Sequence, residues 1–127
     1  MVTAMSLMKR DLAKVAHSAT VLDAVKVMCE RKIGSVFIEQ NDRIVGIVTE
    51  ADIVRRAVGV GHMPGFVPVS TIMSSPVIGI DGTRPITEAA DLMERSQTRH
   101  LAVMQSGHIV GVLSVRDLLH PVSIDEF

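Results

Sequence analysis

One seven-residue phrase is written twice in this chain. Gly46-Ile47-Val48-Thr49-Glu50-Ala51-Asp52 returns as Gly111-Val112-Leu113-Ser114-Val115-Arg116-Asp117, an offset of 65 residues. At that offset the stretch from Met8 to Ile53 lies over Met73 to Leu118 without a gap. Met8/Met73, Ala24/Ala89, Met28/Met93, Gln40/Gln105, Ile44/Ile109, Val45/Val110, Gly46/Gly111 and Asp52/Asp117 are identical, and most other core-like pairs exchange one apolar residue for another. A repeat of this kind is a supersecondary unit too small to bury its own apolar face, so its copies have to pack together. The duplication also predicts two equivalent corners, each carrying a hydroxyl and a carboxylate.

Within each copy the same elements can be read. Val21, Ala24, Val25 and Met28 have the i, i+3, i+4, i+7 spacing of a helix with one buried face, and Ile86, Ala89, Ala90 and Met93 repeat it. Thr20 with Asp23 suits a capping box at the first helix, and Pro85 suits the first turn of the second. Two strands follow in each copy, 35–39 and 43–48, then 100–104 and 108–113. Their connections contain Asn41-Asp42 and Ser106-Gly107, residues that favour tight turns. The second strand of each pair is almost wholly apolar, which predicts burial on both faces. Closing helices are expected over 50–57 and 115–119, and short helical leads over 5–9 and 71–74. A short extended piece is expected near Val15 and near Ile80. The fold class is therefore α+β: two β-α-β-β-α repeats, 1–57 and 70–127, joined by a Gly- and Pro-rich linker over 58–69.

Composition narrows the functions available. The chain has 127 residues, enough for a real core, and is 47% hydrophobic, with no Trp or Tyr and three Phe. Aromatic platforms for stacking nucleic-acid bases are missing, and a net charge of −1 gives no basic stripe, so nucleic acid is not an expected partner. The lone Cys29 excludes an intramolecular disulfide and a CxxC zinc knuckle, and reads as a packing residue. The five histidines show no HxxxH or HExxH spacing, so no metal site is expected. No stretch approaches the ~20 apolar residues of a membrane span, and the N-terminus lacks the charge order of a secretory signal. A soluble cytoplasmic protein is expected. No general base or hydroxyl–His–acid arrangement is evident, so no catalytic residue is assigned. Lys9-Arg10 and Arg55-Arg56 read as solvated faces, with Arg55 or Arg56 able to line a cleft.

The paired phrase admits two readings. Thr49 with Asp52, and Ser114 with Asp117, are good N-caps that need no ligand and contribute about 1 kcal/mol each. The same geometry can serve a nucleotide: the hydroxyl and free backbone N–H groups meet a phosphate, and the carboxylate accepts from ribose hydroxyls. Gly46 and Gly111 on the preceding strand would permit close backbone approach. The two readings are compatible.

The doubled phrase, the repeat length, the leads Ser6-Leu7-Met8 and Ser70-Thr71-Ile72-Met73, and the stretch Ala19-Thr20-Val21-Leu22-Asp23-Ala24 together resemble a tandem pair of cystathionine β-synthase (CBS) domains, a Bateman module. The resemblance covers nearly the whole chain. It implies a stand-alone regulatory module, not an enzyme, whose repeats pair through their sheets with pseudo-two-fold symmetry and bind AMP, ADP, ATP or S-adenosylmethionine in clefts between them. It also implies a homodimer and a regulated partner protein, with no obligatory cofactor. Carried over by position, Thr49 and Asp52 form one site and Ser114 and Asp117 the other, as phosphate and ribose contacts. Adenine is held near Val15 and His17 in one repeat and near Ile80 and Gly82 in the other. Arg99, with help from His100, is implied to face the phosphates at the Thr49/Asp52 site, while Gly34 and Ser35 bring no charge to the Ser114/Asp117 site. An anionic nucleotide is accordingly expected to prefer Thr49/Asp52. The alternative is a structural interaction module with empty clefts.

Overall fold

A computed structural model of the chain describes residues 1–119, so His120 lies outside the described residues. The chain divides into two compact units. The inner unit is Ala13–Val77; the outer unit joins Met1–Leu12 to the chain from Ile78 onward. Compact units and sequence repeats thus divide the chain differently, because the lead of each repeat packs with the body of the other.

In the inner unit, β1 (Lys14–Ala16), β2 (Ser35–Gln40) and β3 (Arg43–Thr49) form a sheet of order β1-β2-β3. β1 runs parallel to β2, and β2 antiparallel to β3 with Phe37 opposite Ile47. The parallel pair needs a crossover, supplied by α2 (Val21–Arg31). In the outer unit, after the N-terminal α1 (Ala4–Leu7), β4 (Gly79–Asp81), α4 (Ile86–Ser96), β5 (His100–Gln105) and β6 (His108–Ser114) repeat the arrangement, with Ala102 opposite Val112. Both hairpins turn through consecutive positive-φ residues, Asn41 and Asp42 (φ 53 and 62) and Ser106 and Gly107 (φ 52 and 80). Such turns match the twist of the flanking strands, which is why Asn, Asp and Gly stand there. Each hairpin also carries a register shift, at Ile38/Glu39 and at Val103/Met104.

The crossover helices differ at their starts. Thr20 caps α2: its hydroxyl accepts from Asp23 N–H at 3.2 Å, and Asp23 accepts in return from Thr20 N–H at 2.9 Å. Pro85 stands one position before the first turn of α4, as its N-cap, and offers no side-chain cap. Val21, Ala24 and Met28 pack into the inner core with Val36, Ile38 and Val48. Ala89 and Met93 pack into the outer core with Ile80, Leu101, Val103 and Leu113, joined by Ala4 and Met8 from the N-terminal lead. Ala90 departs from the expected face and is exposed.

Other departures are physical rather than accidental. Cys29 is exposed, one position round α2 from buried Met28, so it is not a packing residue. Val48 is buried beside Ile47, but β6 alternates, with Val112 half-buried between Gly111 and Leu113. The first closing helix begins as α3 (Glu50–Asp52), loosens into a π turn (Ile53–Ala57) and tightens into a 3₁₀ turn (Val58–Val60). The second is α5 (Val115–Leu118). The linker holds another 3₁₀ turn, Pro64–Phe66, and is tied down where Val21 N–H donates to the Val67 carbonyl at 2.7 Å. The second lead is a 3₁₀ turn over Val69–Thr71, earlier than expected.

Candidate functional site

Each doubled phrase folds into a strand end, a cap and a short helix. At the inner corner, Thr49 N–H and Thr49 Oγ1 both donate to Asp52 Oδ2, at 2.9 and 3.1 Å, while Asp52 N–H donates to Thr49 Oγ1 at 3.3 Å. At the outer corner the corresponding distances for Ser114 and Asp117 are 2.8, 3.0 and 3.3 Å. The two aspartates are only 9% and 7% exposed. A carboxylate withdrawn from water to this degree needs compensating donors, and the cap supplies two of them on Oδ2. The hydroxyl's proton points at its own carboxylate, so donation to a ligand requires the hydroxyl to turn away from the aspartate.

The remaining oxygen, Oδ1, meets a cation at both corners. Asp52 Oδ1 lies 3.8 Å from Arg56 Nε, and Arg56 Nη1 donates to the Ile72 carbonyl at 3.2 Å. Asp117 Oδ1 lies 3.1 Å from Lys9 Nζ. Lys9 is therefore not simply a solvated face, and sequence periodicity had no means of finding it: it stands 108 positions from its partner in the chain. Arg56 was more legible, one turn after Asp52.

The glycines of the phrase have a structural task. A Cβ on Gly46 would sit 2.6 Å from Met73 Sδ and 3.0 Å from the Ser74 carbonyl oxygen. On Gly111 it would run into Met8 Sδ and sit 2.9 Å from the Lys9 carbonyl oxygen. The backbone that approaches is thus the lead segment of the other repeat. It is fastened there by paired backbone bonds: Lys9 with Val112 (2.9 and 3.0 Å), and Ser74 with Ile47 (2.9 and 3.1 Å).

The other expected site residues distribute as follows. Arg99 is exposed, and its carbonyl accepts from Val115 N–H at 3.0 Å, so its backbone adjoins the outer corner; the Gly34 carbonyl accepts likewise from Glu50 N–H at 3.0 Å at the inner one. His100 is half-buried opposite Ser114 on the hairpin. Val15 is half-buried against the inner core, and His17 follows β1 with its N–H bound to the Glu39 carbonyl at 2.8 Å. Ile80 is 7% exposed and its side chain belongs to the outer core. Gly82 is buried with its N–H on the Met104 carbonyl at 2.9 Å. A groove of about 420 Å³ runs between α4 and α5, lined by Met93, Gln97, Arg99, Val115 and Leu118 among others. Neither Ser114 nor Asp117 lines it. Among the described residues no group of three or more His, Cys, Asp or Glu could hold a metal ion, and no helix is long and apolar enough to cross a membrane.

Two stretches, 4–59 and 69–123, match the CBS domain family model. A protein with CBS domains from Burkholderia ambifaria has a solved structure that superposes with a TM-score of 0.93 at 30% identity, covering 99% of this chain and 97% of that one. The chain is 37% identical over 106 residues to an uncharacterised 17.7 kDa protein of Acidianus ambivalens, covering 82% of this chain. It spans 63% of that protein's length and 58% of a second archaeal relative, from Methanopyrus kandleri. It is 27% identical over 119 residues to hypoxic response protein 1 of Mycobacterium tuberculosis, covering 93% of this chain and 83% of that one. The chain belongs to the CBS domain family and carries two tandem copies, in the α+β fold of solved CBS pairs.

Proposed function

We propose that this CBS pair is a non-catalytic sensor that binds adenosine-containing ligands at the Thr49/Asp52 and Ser114/Asp117 corners. One observation carries the reading: a buried carboxylate stands at both corners with Oδ2 held by its cap and Oδ1 turned to a partner outside the cap. Oδ1 keeps acceptor capacity for a ribose hydroxyl, since an ionised carboxylate only accepts hydrogen bonds and a ribose diol donates them. The corner hydroxyl and the adjoining backbone N–H groups then meet the phosphate, with Arg99 and His100 adding donors. Adenine lies against Val15 and His17 in one case and against Ile80 and Gly82 in the other, where the backbone is the recognising surface because the Ile80 side chain is committed to the core.

Signalling follows from differential affinity. A ligand shifts a conformational or dimer equilibrium only as far as it binds one state better than the other. The state so favoured is read by a regulated protein, and a homodimer is the simplest assembly. Calorimetry with AMP, ADP, ATP and S-adenosylmethionine tests the proposal, with Asp52→Ala and Asp117→Ala assigning heat to a corner. A folded protein that binds none of the four overturns it. The surviving reading is then an interaction module, because both caps are complete without a ligand.

A further inference from the structure

We infer that Lys9 sets the charge of the ligand taken at the Ser114/Asp117 corner, making that corner suited to a phosphorylated nucleoside rather than a neutral one. The inference rests on the proposal that this corner binds a nucleoside ligand, and it adds which chemical class is selected and by which residue.

Positions 9 and 74 are counterparts in the two repeats. Both are pinned to the strand that leads into a corner, two residues before the corner hydroxyl, each by two backbone hydrogen bonds: Lys9 to Val112, and Ser74 to Ile47. Both pinnings depend on a glycine just before the strand partner, Gly111 and Gly46, against which Met8 and Met73 close. The main chain is therefore a fixed mount, and the side chain on it is the variable. On the outer mount it is a lysine whose Nζ reaches Asp117 Oδ1 at 3.1 Å. On the inner mount it is a half-buried, uncharged serine.

Lys9 does not close its corner. Its side chain is 56% exposed, and an ammonium has three donors, of which the contact with Oδ1 employs one. Oδ1 retains a second lone pair for a ribose hydroxyl. The pair Lys9–Asp117 is neutral, so a phosphate entering beside Ser114 meets no net negative charge, and the two remaining ammonium donors are available to it. Without Lys9 the same phosphate would face the uncompensated carboxylate of Asp117. An uncharged nucleoside is indifferent to this change. At the inner corner the compensation is looser: Arg56 stands 3.8 Å from Asp52 Oδ1 and donates to the Ile72 carbonyl as well. The outer corner, to which sequence reading gave no cation, is thereby equipped for an anion.

The test is a titration followed by amide NMR, with AMP, adenosine and ribose 5-phosphate added separately to wild type, Lys9→Met, Lys9→Arg and Ser74→Lys. Signals of Ser114 and Asp117 report one corner, and those of Thr49 and Asp52 the other. Lys9→Met is expected to weaken AMP and ribose 5-phosphate at the outer corner by roughly three- to fivefold, the scale of a partly exposed ion pair, and to leave adenosine there unchanged. Lys9→Arg restores the anion, and Ser74→Lys raises the preference for AMP over adenosine at the inner corner. Unchanged or tighter AMP binding in Lys9→Met overturns the inference, as does an equal loss for AMP and adenosine, or an unaltered preference in Ser74→Lys. If only the inner corner responds to ligands in wild type, Lys9 has no such role and the binding proposal stands at one corner. If neither corner responds, both fall.

Discussion

At the inner corner Asp52 faces Arg56 from its own helical run, 3.8 Å away; at the outer corner Asp117 faces Lys9 from the opposite end of the chain, 3.1 Å away. The caps beneath are almost superimposable, with the same three hydrogen bonds at distances differing by 0.1 Å or less. A cap is dictated by local backbone geometry, so both copies keep it. The partner of the outward oxygen is under no such local constraint. The two corners therefore share the part that folding needs and differ in what their outward oxygens meet.

The cores show the same pattern of common plan and unlike filling, and they give the largest expected effects. Leu113 and Val48 stand one residue before the corner hydroxyls and are fully buried in their units. Leu113→Ala should lower unfolding free energy by about 2–5 kcal/mol in urea titration. Val48→Ala removes fewer methyl groups and should cost less. Equal costs would show that the smaller inner residue is compensated by tighter surroundings.

Next in size are the glycines. Gly111→Ala and Gly46→Ala each force a methyl onto a methionine and a backbone oxygen, and should cost about 1–3 kcal/mol by the same titration. Gly111→Ala should also displace the Lys9 mount, moving the amide signals of Lys9 and Asp117. Absence of that shift would separate the lead's packing from the placement of its lysine.

These glycines show what the sequence could and could not disclose. The repeat, the helix–strand–strand order, the turns and both caps were legible, because each depends on residues within a few positions of one another. Close backbone approach at Gly46 and Gly111 was legible too, but not what approaches. That is set by Met8 and Met73, whose identity in both copies marks them as equivalent without saying that each packs on the other repeat's strand. Lys9 was hidden for the same reason. Cys29 was misread because one position on a helix separates the buried face from the exposed one, and a single apolar run through Val27 and Met28 does not fix the face's edge. Pro85 was misplaced by one residue: proline is favoured at the first helical position, but here it stands at the N-cap with extended backbone.

Removing a corner hydroxyl is a milder change. Thr49→Ala and Ser114→Ala should each cost about 1 kcal/mol in thermal or urea unfolding, because each deletes the acceptor for one helix N–H and one donor to a buried carboxylate. Similar values at the two corners are expected, since the difference between the corners lies on Oδ1 and the hydroxyls serve Oδ2. A markedly larger loss for Ser114→Ala would show that the Lys9 pair and the cap are coupled.

The smallest effect concerns acid. Asp23 sits at the cap of α2, and its bonds from Thr20 N–H and then the Thr20 hydroxyl hold its carboxyl below the ordinary 3.8. Asp81, in the turn after β4, is lowered likewise by the Thr83 hydroxyl and then the Thr83 N–H. A carboxyl whose folded value is depressed binds protons less readily folded than unfolded. Its contribution is therefore fully present above 3.8 and is lost as pH falls through the lower, folded value. The α2 cap titrates in this window; the α4 cap, Pro85, has no side-chain acceptor to protonate. Amide hydrogen exchange followed as pH falls below 3.8 should show the first turn of α2 losing protection while that of α4 does not. Asp23→Asn should remove the pH dependence at α2 and leave the Asp81–Thr83 turn titrating as before. Equal acid sensitivity at both helix starts would mean that protonation acts through the units as wholes and not through these two side chains.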